Sequence, residues 1–174
     1  ERNFGDMEKA LESFRKASAG MVSDFDLMQT ANRAALLGVT TDVDKLSGLM
    51  VTARLRGREM GMDMTQAFSD IVTGIGRGSP LILDNLGIKI PDALTKSMKK
   101  MDETQKVQTL LNYAIEDGAR IAAEYGDVNM TAGEKVEVLK SKVVNLKDEA
   151  LAKLSDPLGK IIDQFSTWID KLEI

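Results

Sequence analysis

The sequence predicts an all-α protein, a compact multi-helix region flanked by longer amphipathic, coiled-coil-like helices. Three observations carry this. Apolar residues make up 43% of the 174 positions but aromatics only 5%, so the core must be built mainly from Leu, Ile, Val, Met and Ala, side chains that suit packed helices. Only three prolines occur, at Pro80, Pro91 and Pro157, which leaves long stretches without a helix breaker. Finally, apolar residues recur at steps of three and four along most of the chain, the spacing of one helix face.

The elements follow in order. Phe4, Met7, Leu11, Phe14, Ser18, Met21, Phe25 and Met28 average 3.5 residues per step, a coiled-coil seam. Two readings fit: one helix to about Leu37, or a first helix ended by Gly20 and a second capped by Ser23 or Asp24. Nothing in the sequence forbids the continuous helix, and it is slightly preferred. Gly38 closes this part, and Thr41-Asp42-Val43-Asp44 opens a helix expected to end at Gly61. Thr65 is the expected cap of the next, through Phe68, Ile71, Val72 and Ile75, and Gly74, Gly76 and Gly78 interrupt it. Ser79-Pro80 restarts a short helix that Gly87 stops. Ile88-Lys89-Ile90 alternates like a strand but is too short to be more than an extended connector, and a short helix is expected after Pro91. Asp102 and Gln105 have the spacing of a capping box, opening a helix to about Gly126. Thr131 to Glu134 repeats the motif. Val136, Leu139, Val143, Leu146 and Ala150 form another stripe, and after the Ser155-Asp156-Pro157 break so do Leu158, Ile161, Phe165, Trp168 and Leu172.

Composition excludes several function classes. The chain has neither Cys nor His, which removes disulfides, thiolate nucleophiles and imidazole chemistry and leaves a zinc site only carboxylates. A net charge of −4, from 23 basic and 27 acidic side chains, lacks the basic excess of a nucleic-acid binder, so no specific nucleic acid is expected. Arg54, Arg56 and Arg58, with Glu59 beside them, read as a solvated helix face. No run approaches the roughly 20 apolar residues of a transmembrane segment. The opening Glu1-Arg2-Asn3, without an initiator Met, suggests a piece of something longer.

Candidate chemistry is thin. Asp24/Asp26, Asp42/Asp44 and Glu116/Asp117 are paired carboxylates, but all sit at expected helix starts or polar faces, where capping and solvation explain them. Gly74-Ile75-Gly76-Arg77-Gly78-Ser79 lacks the Gly-Lys-Ser/Thr ending of a Walker loop and the preceding strand of a dinucleotide loop, so the glycines are read as a sharp turn. Arg77 beside a helix start is a weak anion candidate. Of the ten methionines, several fall on the Leu and Phe stripes, and they are read as core or seam filling. No catalytic, cofactor or metal site is expected, and no enzyme activity.

The run Ile71-Val72-Thr73-Gly74-Ile75-Gly76-Arg77-Gly78-Ser79-Pro80-Leu81-Ile82-Leu83-Asp84-Asn85-Leu86-Gly87-Ile88 resembles a signature of the tail tape measure proteins of long-tailed bacteriophages and prophages. Upstream, Ala31 to Val39 resembles the helix end before that signature; downstream, Lys106 to Asn112 followed by Gly118 resembles the helix after it. The likeness covers roughly residues 25 to 130. It implies an internal helical segment of a much longer virion structural protein that sets tail tube length and is released at DNA ejection. It implies as partners other copies of itself, tail tube, tail tip and tail assembly chaperone proteins. The place would be the virion tail, assembled in the bacterial cytoplasm. A different class of function fits the composition as well: an intracellular helical adaptor or chaperone-like interaction domain with no virion role.

The expected organisation is an N-terminal amphipathic helix or helix pair at 1–38, a compact region at 39–126 carrying the glycine turn, and C-terminal amphipathic helices at 127–174. The apolar seams lead to an expectation of homo-oligomerisation through Leu11, Phe14, Met21, Val136, Leu139, Val143, Leu146, Phe165 and Trp168. The signature residues Gly74, Gly76, Arg77, Gly78, Ser79, Pro80, Asp84, Asn85 and Gly87 are expected to shape the turn.

Overall fold

The computed structural model describes the backbone of residues 4–125, 134, 138–145 and 148, and their side chains from Glu8 onward. The fold is all-α, with no strand among the described residues. The order is α1 (Phe4–Ala17), α2 (Asp24–Leu36), α3 (Val43–Met60), α4 (Met64–Gly76), α5 (Pro80–Asp84), α6 (Asp92–Met98) and α7 (Glu103–Tyr125). Residues 138–145 are helical as well.

The N-terminal seam is two helices, not one. Ala19 and Gly20 both take positive φ, 52° and 71°, and the Gly20 amide bonds back to the Arg15 carbonyl at 2.9 Å. Ser23 caps α2: its hydroxyl accepts from the Asp26 amide and donates to the Asp26 carboxylate at 2.7 Å. A left-handed alanine costs about 1–2 kcal/mol. The bend puts Met21 and Val22 into the core at 6% and 3% exposure, each contributing roughly 1.5–3 kcal/mol. Burial wins, so the helix breaks. Arg15 fastens the corner from outside, its Nε 2.8 Å from Asp24 Oδ1.

α4 is the central helix. It packs against α2, α3, α5 and α7, and Met64, Ala67, Phe68, Ile71, Val72, Gly74 and Ile75 are all buried. Asp63 caps it by accepting from the Gln66 amide at 3.1 Å, two residues before the expected Thr65; the earlier start buries Met64 at 2% exposure. Asp42 caps α3 and Gly61 closes it in the left-handed conformation, as the sequence indicates. The capping box of α7 forms in both directions, Gln105 amide to Asp102 Oδ1 at 2.8 Å and Asp102 amide to Gln105 Oε1 at 3.1 Å.

One continuous core runs from Phe14 through Met21, Leu27 and Ala34 to Ala114. It crosses the expected boundary at residue 38, because α1 packs on α3 and α2 on α4. α3 and α7 run side by side in the same direction, judged by Gly48 facing Ile115, Thr52 facing Gly118 and Glu59 facing Tyr125. They approach so closely that a Cβ on Gly118 would lie 2.1 Å from Thr52 Oγ1. α7 also holds the connectors: Gln108 donates to the Val39 carbonyl at 3.2 Å and Tyr113 to the Lys89 carbonyl at 2.9 Å.

Candidate functional site

The glycine corner joins α4 to α5. The amides of Arg77, Gly78 and Ser79 donate to the carbonyls of Thr73, Ile75 and Gly74 at 3.0, 2.9 and 2.9 Å. This is a left-handed helix ending around Gly78, φ 60°. It uses the loop amides that a phosphate cradle would need, which is a physical reason beyond the motif mismatch to set the phosphate reading aside. Pro80 starts α5 at the first helical position; Ser79 is its N-cap residue but makes no side-chain cap bond. Asp84 and Asn85 are exposed, and the chain turns through Gly87, φ 77°, to bury Ile88.

The expectation that Gly74 and Gly76 interrupt the helix is corrected: α4 runs through both, and of the three glycines only Gly78 takes a positive φ. Gly76 ends α4 in helical geometry. Its small size is what the fold uses: a Cβ there would lie 2.8 Å from Leu37 Cβ. Gly74 likewise admits Ile82 and Leu83, whose side chains would lie 3.0 Å from such a Cβ. The corner brings Gly74, Gly76, Gly78, Ser79 and Pro80 together, while Arg77 projects as an exposed residue at the end of α4.

A buried ion pair, not expected from the sequence, joins α3 to α7. Arg56 grips Asp117 with Nε and Nη2, at 2.9 and 2.7 Å from Oδ2, and Asp117 is 6% exposed. Arg56 also reaches Glu59 at 2.7 Å, and Arg120 reaches Asp117 at 2.6 Å. This overturns the solvated-face reading for Arg56 and the polar-face reading for Asp117. The signal was present: Asp117 lies on the stripe of Leu110, Ala114 and Ile121, where an acid needs a buried partner. At the end of this network the Tyr125 hydroxyl donates to Glu59 Oε1 at 2.8 Å. That hydrogen bond, and then the charge of Glu59, hold the phenol above its ordinary pKa. The hydrogen bond to Asp117, then its charge, raise Arg120 further above an already high value.

Among the other paired carboxylates, Asp24 pairs with Arg15, Asp26 with Ser23, and Asp42 accepts from the Lys45 amide. Among the described residues no cluster of three or more acids is placed to hold a metal, and no helix is long and apolar enough to cross a membrane. Depressions in the described surface include two with well-defined linings. One of about 230 Å³ is lined by Leu55, Arg58, Glu59 and Tyr125. The other, about 490 Å³ and polar, lies between α2 and α4 around Arg33, Asp63 and Ser69.

The expected self-association residues divide. Phe14 and Met21 are buried in the chain's own core at 3% and 6% exposure, and Leu11 packs against it half-buried. Leu139 and Val143 point outward, 62% and 66% exposed. Val136, Leu146, Phe165 and Trp168, the cap at 131–133 and the break at 155–157 lie outside the described residues.

No family model matches the chain, and no solved structure matches it.

Proposed function

We propose that the chain is a structural segment of a phage tail tape measure protein, a helical part of the scaffold that sets tube length, with no catalysis of its own. The observation that carries this reading is the run from Ile71 to Ile88 with its two flanking runs. Its support is physical as well as textual: Gly74 and Gly76 allow close approach, Gly78 and Gly87 reverse the chain, and Pro80 starts α5. The residues of the run make shape rather than chemistry, which suits an architectural part. In this reading the partners are further copies of the chain and the tail tube, tail tip and assembly chaperone proteins, and the place is the virion tail.

Length control follows from helix geometry, since an extended helix rises about 1.5 Å per residue. The experiment uses a phage or induced prophage whose genome encodes the chain. Mass spectrometry of purified tails should find its peptides. An in-frame deletion of helical residues elsewhere in the same reading frame should shorten the tails by about 1.5 Å per residue removed. Complete tails lacking these peptides, with the chain recovered from the host cytosol, would refute the tail reading and favour the adaptor.

A further inference from the structure

A buried hydroxyl ordinarily has a hydrogen-bond partner. Among the described polar side chains that are nine-tenths or more buried, Ser18, Ser23, Thr52, Asp117 and Ser141 all have one. Thr30, 6% exposed, is the exception. It lines the polar groove of about 490 Å³ between α2 and α4. Its hydroxyl is not sealed away from that groove, since the enclosed oxygen without a partner among the described residues is that of Ser47. The same groove holds two opposite charges that do not meet. Arg33 donates to Ser69 Oγ at 3.1 Å, and Asp63 accepts from the Gln66 amide through Oδ1. Neither makes an ion pair with a described residue. α2 and α4 run in the same direction, since Arg33 meets Ser69 and Leu37 meets Gly76. Ser69 follows Asp63 by six residues, about 9 Å of helix rise, and Thr30 lies about 4.5 Å back from Arg33 towards the Asp63 end.

We propose that this groove binds a small zwitterion of dipeptide length, with its carboxylate on Arg33, its ammonium on Asp63 Oδ2 and its central amide on the Thr30 hydroxyl. Charge selects the class. A simple anion would face Asp63, a simple cation would face Arg33, and an apolar ligand would strand the hydroxyl and both charges. Length selects the size. The charged ends stand about 9 Å apart along α4, less the reach of a hydrogen bond at either end. What is left is nearer the roughly 7 Å of two extended residues than the roughly 3.5 Å of one. Arg33 and Asp63 are exposed, so solvent competes for both and Kd is on the order of 1 mM. This inference does not rest on the tail reading.

The test is a nuclear magnetic resonance titration of the full chain with glycylglycine to about 50 mM, well above such a Kd. Backbone amide signals of residues 29–33 and 63–69 should shift and saturate. Three analogues should each bind roughly three- to tenfold more weakly: glycine, too short to reach both charges, N-acetylglycylglycine, without the ammonium, and glycylglycinamide, without the carboxylate. Thr30→Val separates a ligand contact from a structural one. The hydroxyl has no partner to lose, so the urea midpoint should stay unchanged or rise, while Kd for glycylglycine rises roughly three- to tenfold. Asp63→Asn keeps a capping oxygen and should erase the preference over the acetylated analogue; Arg33→Gln should erase the preference over the amide. An absence of saturable shifts at these residues overturns the proposal, as do analogues that bind as well as glycylglycine. A Thr30→Val chain that loses stability, or charge variants that keep the full preference, overturn it too.

Discussion

Replacing Gly118 by alanine sets two known effects against each other at a single site. In a helix interior the change alone stabilises by about 0.5–1 kcal/mol, because glycine loses more backbone freedom on folding. Here the new Cβ would sit 2.1 Å from Thr52 Oγ1, 2.9 Å from Thr52 Cβ and 3.0 Å from Thr52 Cα. Thr52 has nowhere to turn: it is 0% exposed and its hydroxyl lies 2.9 Å from the Ala114 carbonyl and 3.1 Å from that of Gly48. α3 and α7 must part. Overpacking costs about 1–3 kcal/mol, and losing the buried Thr52 hydrogen bond adds about 0.5–1.5 kcal/mol. Less the propensity gain, Gly118→Ala should destabilise by about 0.5–4 kcal/mol, read as a lower urea midpoint at unchanged slope. Adding Thr52→Ala removes the shortest contact but not the two to Cβ and Cα, so the double variant should recover only part of the loss. Gly48→Ala is the internal control: it meets only the Ile115 side chain, at 3.1 Å, and should stay within about 1 kcal/mol of wild type. A Gly118→Ala protein as stable as wild type would refute the close crossing.

At the glycine corner, Gly78→Val should cost about 1–3 kcal/mol through its left-handed backbone, and Gly78→Asn, which tolerates that region, clearly less; paired denaturant melts distinguish them. In the α3–α7 ion pair, Arg56→Met leaves the buried Asp117 carboxylate with only the half-exposed Arg120 and should cost about 1.5–3 kcal/mol, whereas Arg120→Ala, with its guanidinium in solvent, should cost at most about 1 kcal/mol. For Tyr125, a Tyr113→Phe background leaves a single phenol, since the chain has two tyrosines. Its alkaline absorbance titration should run above the ordinary tyrosine range, and Glu59→Gln should bring the midpoint down. Because the folded pKa is the raised one, the contribution of this hydrogen bond is intact below the ordinary tyrosine pKa and is lost only as pH climbs through the raised value.

Much of the fold is written in local signals. Gly38-Val39, Gly61-Met62 and Gly87-Ile88 each pair a left-handed glycine with an apolar residue that the core receives wholly or in part, so the ends of three segments can be read without tertiary knowledge. Asp102 and Gln105 announce α7 in the same way. The break at Gly20 was ambiguous because Ser18, Met21 and Phe25 keep helical spacing across it. Only the burial of Met21 and Val22 against other helices decides the matter. Gly76 is ambiguous for a related reason: sequence shows a glycine, but Leu37, its neighbour in space, shows that the need is room and not conformation. Arg56 and Asp117 stand 61 residues apart, and no local pattern joins them.

The same limit shapes the functional reading. Steps of three and four describe Phe14 and Met21 as well as Leu139 and Val143, yet the first pair is covered by the chain and the second is in solvent. Spacing states only that a helix has an apolar side; it does not state which side is anchored. That information sits in the polar residues between. On the 138–145 helix Ser141 and Asn145 bind backbone at the α1–α2 corner, across the helix from the exposed Leu139 and Val143. Around α1, Arg15 makes its ion pair from the outer face, and Phe14 and Ala17 are free to enter the core. An amphipathic helix thus becomes core or interface according to where its hydrogen-bonding side chains find partners. At Leu139 and Val143 the apolar side faces out on a helix whose polar side is already bound.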